Sequence, residues 1–394
     1  MPCRPAPLTV STPWTRRQAL GFGAGAALAV CLPRHAAAQR PRARLRLIGE
    51  ARLPHRLQFQ GTTVGGLSGI DHDPVSGLYY LISDDGSSFN PARFYTARIA
   101  LETNRLGAPE LTAVTTLRQA DGSTYPAALH GIQVPDPEAI RWRASSQTLL
   151  WTSEGHALTG AAPALRESRT DGTLLREFAL PPMFDFQLTQ GPRINLTLEG
   201  LALSPDGNRA WVAMEGPLRQ DGPVPTVQAP GGPCRFTEID LTSGKVLRQI
   251  AYLPDAIPRA PLPPATHADN GVTEILMLDD HRLLVLERAY MAGHGPDTAN
   301  SLRLYLIDTR GGTDTLNLPA LQPGNHQPVV KVLLADFSAF TGAGPGPRLD
   351  RLDNSEGMCW GPRLANGNRS LHVISDDNFG PRQITQWLAF EFLD

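Results

Sequence analysis

The stretch LEGLALSPDGNRAWVAMEG, from Leu198 to Gly216, contains two apolar runs separated by a turn. Ser204-Pro205-Asp206-Gly207 has the composition of a turn, because Pro presets φ and Gly accepts a positive φ. Two such runs joined by a turn predict an antiparallel hairpin. The first strand of a hairpin begins where the second ends, so we expect Glu199 and Glu215 to lie together, at the end away from the turn.

Four further segments repeat this arrangement of an acidic or polar residue, an apolar run, a turn, a second apolar run and an acidic residue. They are Ser68 to Gly86, Pro137 to Gly155, Thr273 to Ala289 and Ser355 to Asn378. Repeats at this scale are typical of a β-propeller. The sequence therefore predicts an all-β chain that forms a single propeller.

The number of blades and the closure of the ring are predicted from the remaining length. Six blades would take roughly 59 residues each, with long loops, and we favour six over five or seven. Arg44 to Leu57 and Ile384 to Leu393 both have the composition of strands. If these two segments pair, the ring closes and no sheet edge remains open.

The five hairpins predict where the acidic residues meet. All blades of a propeller share one polarity, so the ends of the hairpins would form an acidic ring at one end of the central channel. The residues expected there as metal ligands are Asp84, Asp85, Glu138, Glu154, Glu199, Glu215, Glu274, Glu287, Glu356, Asp376 and Asp377. Carboxylate oxygens are the ligands that Ca²⁺ prefers. The alternative is structural, with each carboxylate capping backbone N–H groups or pairing with an arginine.

Four basic residues near the acidic segments are candidates for substrate binding. Arg93, Arg288 and Arg382 could each hold a phosphate or carboxylate in bidentate fashion, or pair with the acids of the ring. His156 directly follows Glu154-Gly155 and is the histidine best placed for the rim.

The sequence offers no nucleophile motif. There is no G-x-S-x-G segment, so a serine-hydrolase mechanism of the α/β-hydrolase kind is unsupported. Hydrolysis of an ester would then depend on a metal and a water molecule, with a carboxylate as the base. Glu199 and Glu356 are the candidates for this base, and the sequence does not choose between them.

The beginning of the chain has the pattern of a signal peptide. Arg16-Arg17 precede the apolar stretch Ala19 to Leu32, which is followed by Ala36-Ala37-Ala38. The paired arginines resemble a twin-arginine export signal. We expect cleavage after Ala38, a mature domain of residues 39–394, and a periplasmic or secreted protein. The apolar stretch is too short to predict a stable membrane anchor.

Charge and cysteine content limit the classes of partner. Residues 1–38 hold four arginines and no acidic residue, so the mature chain would carry a formal net charge of −6. This balance excludes a nucleic-acid-binding protein by charge. We expect a monomer that acts on a small molecule. Cys234 and Cys359 would remain after cleavage, either as a disulfide or as two separate buried thiols.

Eight segments of the chain resemble the phytase-like family, also called "esterase-like activity of phytase". The segments are Leu81 to Gly86, Pro135 to Ile140, Trp151 to Gly155, Leu198 to Leu201, Met214 to Leu218, Leu286 to Arg288, Asp353 to Gly357 and Ile374 to Phe379. The family consists of secreted bacterial propellers, and the resemblance covers most of the mature chain.

The resemblance implies hydrolysis of esters or phosphate esters with the help of calcium. We therefore expect a Ca²⁺-dependent phosphoesterase or esterase. Phytate itself is doubtful as a substrate, because the chain has only two lysines, Lys245 and Lys331, and a smaller phosphate or carboxyl ester fits better. The alternatives are a non-catalytic propeller that binds a ligand or a protein and holds structural calcium, and a metal-dependent lactonase.

Overall fold

The computed structural model describes residues 44–126, 134–157 and 159–393, which form β-strands and three short 3₁₀ helices. The predicted signal peptide lies outside the described residues. Among the residues that are described, no helix is long and apolar enough to cross a membrane.

Five four-stranded antiparallel sheets account for most of the strands. The first sheet contains β4 (Leu67–His72), β5 (Tyr79–Ser83), β6 (Arg93–Arg98) and β9 (Glu110–Thr116), and the second contains β10 (Pro137–Arg143), β11 (Thr148–Ser153), β12 (Ala164–Arg169) and β13 (Leu174–Phe178). The third contains β14 (Leu198–Leu203), β15 (Arg209–Met214), β16 (Cys234–Asp240) and β17 (Val246–Tyr252). The fourth contains β18 (Ala268–Met277), β19 (Arg282–Met291), β20 (Asn300–Asp308) and β21 (Lys331–Asp336). The fifth contains β22 (Asn354–Trp360), β23 (Arg369–Asp376), β24 (Thr385–Leu393) and β1 (Arg44–Leu53).

The smaller elements lie in the connections between these strands. They are the hairpin of β2 (Gln58–Phe59) and β3 (Thr62–Thr63), the hairpin of β7 (Leu101–Glu102) and β8 (Arg105–Leu106), and 3₁₀ helices at Pro182–Phe184, Arg219–Asp221 and Phe337–Phe340.

The five sheets are the blades of a β-propeller, as predicted. Their first strands contact one another in turn, β4 with β10, then β14, β18 and β22, and β22 contacts β4 again. Each of the five repeats found in the sequence forms the two inner strands of one blade. The described residues thus hold five blades, whereas the sequence favoured six. The reason for the difference is that the loops are longer than expected: successive inner strands begin at Leu67, Pro137, Leu198, Ala268 and Asn354.

The two ends of the described chain close the ring. Strand β1 pairs antiparallel with β24, with Leu45 opposite Phe392 and Leu53 opposite Thr385. The fifth blade therefore takes its outermost strand from the beginning of the chain and its other three from the end, which confirms the predicted pairing.

Each inner strand carries a β-bulge, near its beginning in four blades and in the middle of β18 in the fourth blade. In the third blade Leu198 is opposite Met214 and Gly200 is opposite Ala213, which leaves Glu199 as the extra residue. The corresponding residues in the other blades are Ser68, Glu138, Thr273 and Glu356. An extra residue re-aims its side chain relative to a regular strand.

The strands are packed so closely at the bulges that glycine is required after two of them. A Cβ on Gly69 would lie 2.5 Å from the Glu138 carbonyl oxygen of the next blade. A Cβ on Gly357 would lie 2.8 Å from the Ser68 carbonyl oxygen. The tight contact fixes each bulge against the neighbouring blade.

The hydrophobic core lies between neighbouring sheets. The largest cluster joins the second, third and fourth blades and includes Trp211, Phe236 and Ile275. Cys234 and Cys359 are buried as free thiols in the third and fifth blades, so the alternative of two separate cysteines applies.

Candidate metal centre

Two positions in each blade determine the composition of the site. One is the bulge residue of the inner strand. The other is a residue in or directly after the second strand, one position after the partner of the residue that precedes the bulge. The bulge residues are Ser68, Glu138, Glu199, Thr273 and Glu356, and the second set is Asp84, Glu154, Glu215, Arg288 and Asp376. Seven of these ten residues are carboxylates, and we call these seven the acidic ring. Both residues of the fourth blade, Thr273 and Arg288, lack a carboxylate.

The carboxylates of the acidic ring approach one another closely. Three groups have ligand oxygens that all lie within 4.8 Å of one another: Asp84, Glu138 and Glu356; Asp136, Glu138 and Glu154; and Glu154, Glu199 and Glu215. Because Glu138 and Glu154 are each shared between two groups, these carboxylates form one continuous cluster rather than separate pairs.

Asp136 belongs to this cluster although the sequence did not identify it as a ligand. It lies one residue before the second inner strand, outside the hairpin repeat, and its oxygen reaches Glu138 and Glu154. The one available signal is Pro135-Asp136-Pro137, a segment that resembles the family but that hairpin periodicity does not place at the ring.

The acidic ring lines a cavity of about 1480 Å³. Arg141 and Glu274, which lie outside the described lining of the cavity, form a buried ion pair at 2.7 Å. Arg141 also donates to the carbonyl oxygens of Ile70 at 2.8 Å and Ile275 at 3.0 Å. These contacts join the first, second and fourth blades.

Burial and mutual repulsion raise the pKa values of the ring carboxylates. Loss of water and, second, the neighbouring carboxylates raise the pKa of Glu154 to about 8 and that of Asp136 to about 7. The pKa values of Asp84, Glu138 and Glu199 are raised well above their usual range by the same two causes. Without a cation the cluster would hold protons at neutral pH, and a bound cation would displace them.

Arg288 compensates only part of the acidic ring. Its guanidinium lies 3.1 Å from Asp269, 3.2 Å from Glu356 and 3.5 Å from Glu215. The arginine therefore neutralises the side of the ring formed by the fourth blade and its neighbours. The side formed by Asp84 and Glu138 receives no such contact in the described chain.

One buried oxygen of the ring lacks a hydrogen-bond partner among the described residues. It is Oε2 of Glu199, whose side chain is 7% exposed. A buried carboxylate oxygen without a partner is costly. Glu199 is also a member of one of the carboxylate groups described above, so its free oxygen belongs to a residue of the candidate metal centre.

The structure places Glu274 and Glu287 outside the ring. Glu274 follows the bulge residue Thr273, and it accepts hydrogen bonds from the amides of Leu201 and Ile275 at 2.9 Å in addition to its pair with Arg141. Glu287 lies one residue before the ring position, and a shift of one residue along a strand reverses the face of the sheet. It accepts from Tyr252 at 2.6 Å and pairs with Lys331.

Three more of the predicted site residues, Asp85, Arg93 and Asp377, form contacts within the protein that hold loops. Asp85 accepts from the amides of Phe89 at 2.7 Å and Asn90 at 2.8 Å, and it pairs with the buried Arg93. Arg93 also donates to the Thr63 carbonyl oxygen at 2.7 Å. Asp377 accepts from the amides of Gly66 and Phe379. Asp85 and Asp377 thus hold loops while Asp84 and Asp376 enter the ring.

The remaining candidates lie at different distances from the ring. Arg382 is exposed at the rim of the cavity. His156 is half-buried and forms a backbone bridge with Ala161, outside the described lining of the cavity. Glu356, one of the two candidate bases, accepts from Asn354 at 2.8 Å as well as from Arg288. Glu199, the other one, keeps its free oxygen.

The fold and the site define a β-propeller with a buried carboxylate cluster at one end of its channel. The chain belongs to the phytase-like family, described as "Esterase-like activity of phytase", whose family model matches residues 62–379. No curated protein matches the chain.

Several solved structures are distantly similar. The catalytic domain of a GH62 α-L-arabinofuranosidase from Coprinopsis cinerea is 10% identical, with 88% of this chain and 96% of that chain covered and a TM-score of 0.43. The periplasmic gluconolactonase PpgL of Pseudomonas aeruginosa is 12% identical, with 87% and 91% covered and a TM-score of 0.34. At these values neither structure indicates what this chain binds.

Proposed function

We propose that the protein is an exported, Ca²⁺-dependent hydrolase that acts on a small phosphate or carboxyl ester. The observation that carries the proposal is the buried Oε2 of Glu199, which lacks a hydrogen-bond partner among the described residues and belongs to a cluster of carboxylates. Family membership supports ester hydrolysis as the class of reaction.

The donor set fits calcium. Ca²⁺ takes about six to eight oxygen ligands in flexible geometry and tolerates several carboxylates. The residues that would hold it are Asp84, Asp136, Glu138 and Glu154, a part of the cluster that Arg288 does not contact, with Glu199 beside them as the base. Bound there, the ion would offset the negative charge of the ester oxygens and lower the pKa of a water molecule.

The protein's own residues supply the other requirements of hydrolysis. Arg288 lies beside the cluster and can orient an anionic oxygen of the ester. Glu199 is a better base than Glu356, because Glu356 already accepts from Arg288 and Asn354. A water molecule would give its proton to Oε2 of Glu199 while its oxygen attacks the phosphorus or acyl carbon, and the alcohol leaves with a proton from the solvent.

The test uses purified mature protein with p-nitrophenyl phosphate and p-nitrophenyl acetate. We expect turnover with calcium, none with EGTA, and at least a hundredfold lower kcat in Glu199→Gln. Glu102→Gln, a change at an exposed carboxylate, is the control and should behave as the wild type. Calorimetric titration with Ca²⁺ reports ion binding separately. Absence of turnover on both substrates, in protein that binds calcium, would contradict catalysis.

A second function is favoured by the contacts between ring and blades. Glu154 of the second blade accepts from the amide of Thr197, at 2.7 Å, just before the third blade. A cation at the ring could thus stabilise the propeller without any reaction, in a protein that only binds a ligand. This alternative predicts that calcium raises the Tm while every ester remains intact.

Export and oligomeric state belong to the same proposal. We propose that the leader of residues 1–38 directs the protein to the periplasm and that the mature protein is a monomer. N-terminal sequencing of protein from a periplasmic fraction tests the first point, with Gln39 expected as the first residue. Light scattering of the same material tests the second.

A further inference from the structure

The cavity has an apolar wall above the acidic ring. Ile194 and Val224 both line the cavity, and their side chains are 55% and 38% exposed. Pro225 and Leu196 lie in the same lining. Single exposed apolar residues are common on protein surfaces, but several in the lining of a cavity that also holds a charged cluster indicate contact with a ligand.

The apolar wall is held in a fixed position. Ile194 precedes the third inner strand and Val224 follows the second strand of the same blade. Arg193 joins the two segments by donating to the carbonyl oxygens of Pro217 and, at 2.9 Å, of Gly222. The amide of Gly191 also donates to Oε1 of Gln220 at 2.8 Å. A surface fixed in this way loses little entropy when a ligand binds.

The arginine of the cavity that is free to bind an anion lies on a different blade from the apolar wall. Ten carboxylates and three arginines line the cavity. Arg288 and Arg351 are paired with carboxylates, while the Arg382 guanidinium has no hydrogen bond or ion pair to the described residues. The backbone of Arg382 is held by Arg351, which donates to its carbonyl oxygen at 2.9 Å. Arg382 belongs to the fifth blade, and the apolar wall belongs to the third.

We propose that the substrate is a phosphate monoester of an apolar alcohol or phenol. This inference rests on the proposed function and names its substrate class. The phosphate would lie at the acidic ring, where a bound calcium ion would offset its charge, and the apolar group would lie on Ile194 and Val224. A polyphosphorylated substrate fits less well, because its additional phosphates would face the ring carboxylates with one unpaired arginine among the described lining residues to compensate them.

The test measures binding rather than turnover, with phenylphosphonate and methylphosphonate as stable probes. Both are titrated into the calcium-loaded mature protein by calorimetry. We expect phenylphosphonate to bind about tenfold more tightly, the ratio for about 60 Å² of apolar surface removed from water. In the double variant Ile194→Ser, Val224→Ser, the ratio should fall to about two. Val75→Ser, at a 92% exposed apolar residue in the turn between β4 and β5, should keep the wild-type ratio.

A further variant tests the binding of the phosphate group separately from the binding of the apolar group. Arg382→Gln should weaken both phosphonates by the same factor and leave their ratio near ten. The proposal is overturned if the two phosphonates bind equally well, if neither binds at millimolar concentration, or if the double variant keeps the tenfold preference. Since no bond is broken in this experiment, a protein that binds phenylphosphonate selectively but hydrolyses no ester refutes the proposed hydrolysis and leaves the binding site established.

Discussion

Raising the pH in the presence of a chelator should destabilise the protein through Glu154. Burial raises the pKa of this carboxyl from its ordinary 4.5 to about 8. The folded protein therefore keeps a proton that the unfolded chain releases above pH 4.5. The stabilisation is complete below pH 4.5 and is lost as the pH rises towards 8.

The size of the loss follows from the two pKa values. Between pH 5 and pH 8, a group that titrates near 8 when folded and near 4.5 when unfolded removes about 3 to 4 kcal/mol of stability. A propeller of roughly 350 residues unfolds with an entropy near 0.7 kcal/mol/K, so the Tm should fall by about 5 °C. Saturating calcium should abolish most of this fall, because the ion replaces the proton.

The assay is thermal unfolding at pH 5, 6, 7 and 8, in EDTA and in calcium, for the wild type and for Glu154→Gln. Other groups titrate in this range. Groups distant from the ring contribute equally to both proteins and cancel in the difference. Glu138 and Glu199 lose the repulsion of Glu154 in the variant, which lowers their pKa values and reduces the pH dependence of the variant further. The Tm of the variant in EDTA should change less with pH than that of the wild type. Parallel curves for the two proteins would refute the reasoning, as would a wild-type Tm that falls equally with calcium.

Three further predictions concern other parts of the molecule. Gly357→Ala should destabilise the protein by about 2 kcal/mol, because the new methyl group meets Ser68 and Ile374; chemical denaturation measures this, with the exposed Gly311→Ala as a control that should change little. Arg288→Gln should tighten calcium binding severalfold in calorimetry, since it removes the one cation of the ring positions; unchanged affinity would contradict the placement of the ion. Burial lowers the pKa of His372 to about 3. The contribution of this histidine to stability is therefore complete above pH 6.5 and is lost on acidification towards pH 3. In urea denaturation, His372→Gln should lose less stability than the wild type between pH 6.5 and pH 4.

The hairpins and the closure of the ring could be predicted from the sequence because both depend on local patterns. Alternating apolar runs and a Pro-Asp-Gly turn determine a hairpin, and a hairpin brings its two ends together. Glu138, Glu199, Glu215 and Glu356 were placed at the ring in this way. The number of blades depends on the length of loops, which no pattern of apolar residues records.

The fourth blade shows why the ring itself was predicted only in part. Thr273 and Arg288 occupy positions that carry carboxylates in most other blades, and the neighbouring Glu274 and Glu287 have the expected residue type one position away. A single bulge decides which of two adjacent residues faces the channel. Asp136 was missed for a different reason, since it precedes its strand and belongs to no periodic segment.

The closure of the fifth blade makes the complete acidic ring depend on both ends of the described chain. Glu356 and Asp376 lie in a blade whose outer strand, β1, comes from residues synthesised more than 300 positions earlier. A ribosome-bound chain that lacks β24 has no partner for β1 and cannot fix this blade in the ring. Glu356 and Asp376 therefore join the acidic ring only after the last strand has been made, whereas the carboxylates of the second and third blades already group without the fifth blade.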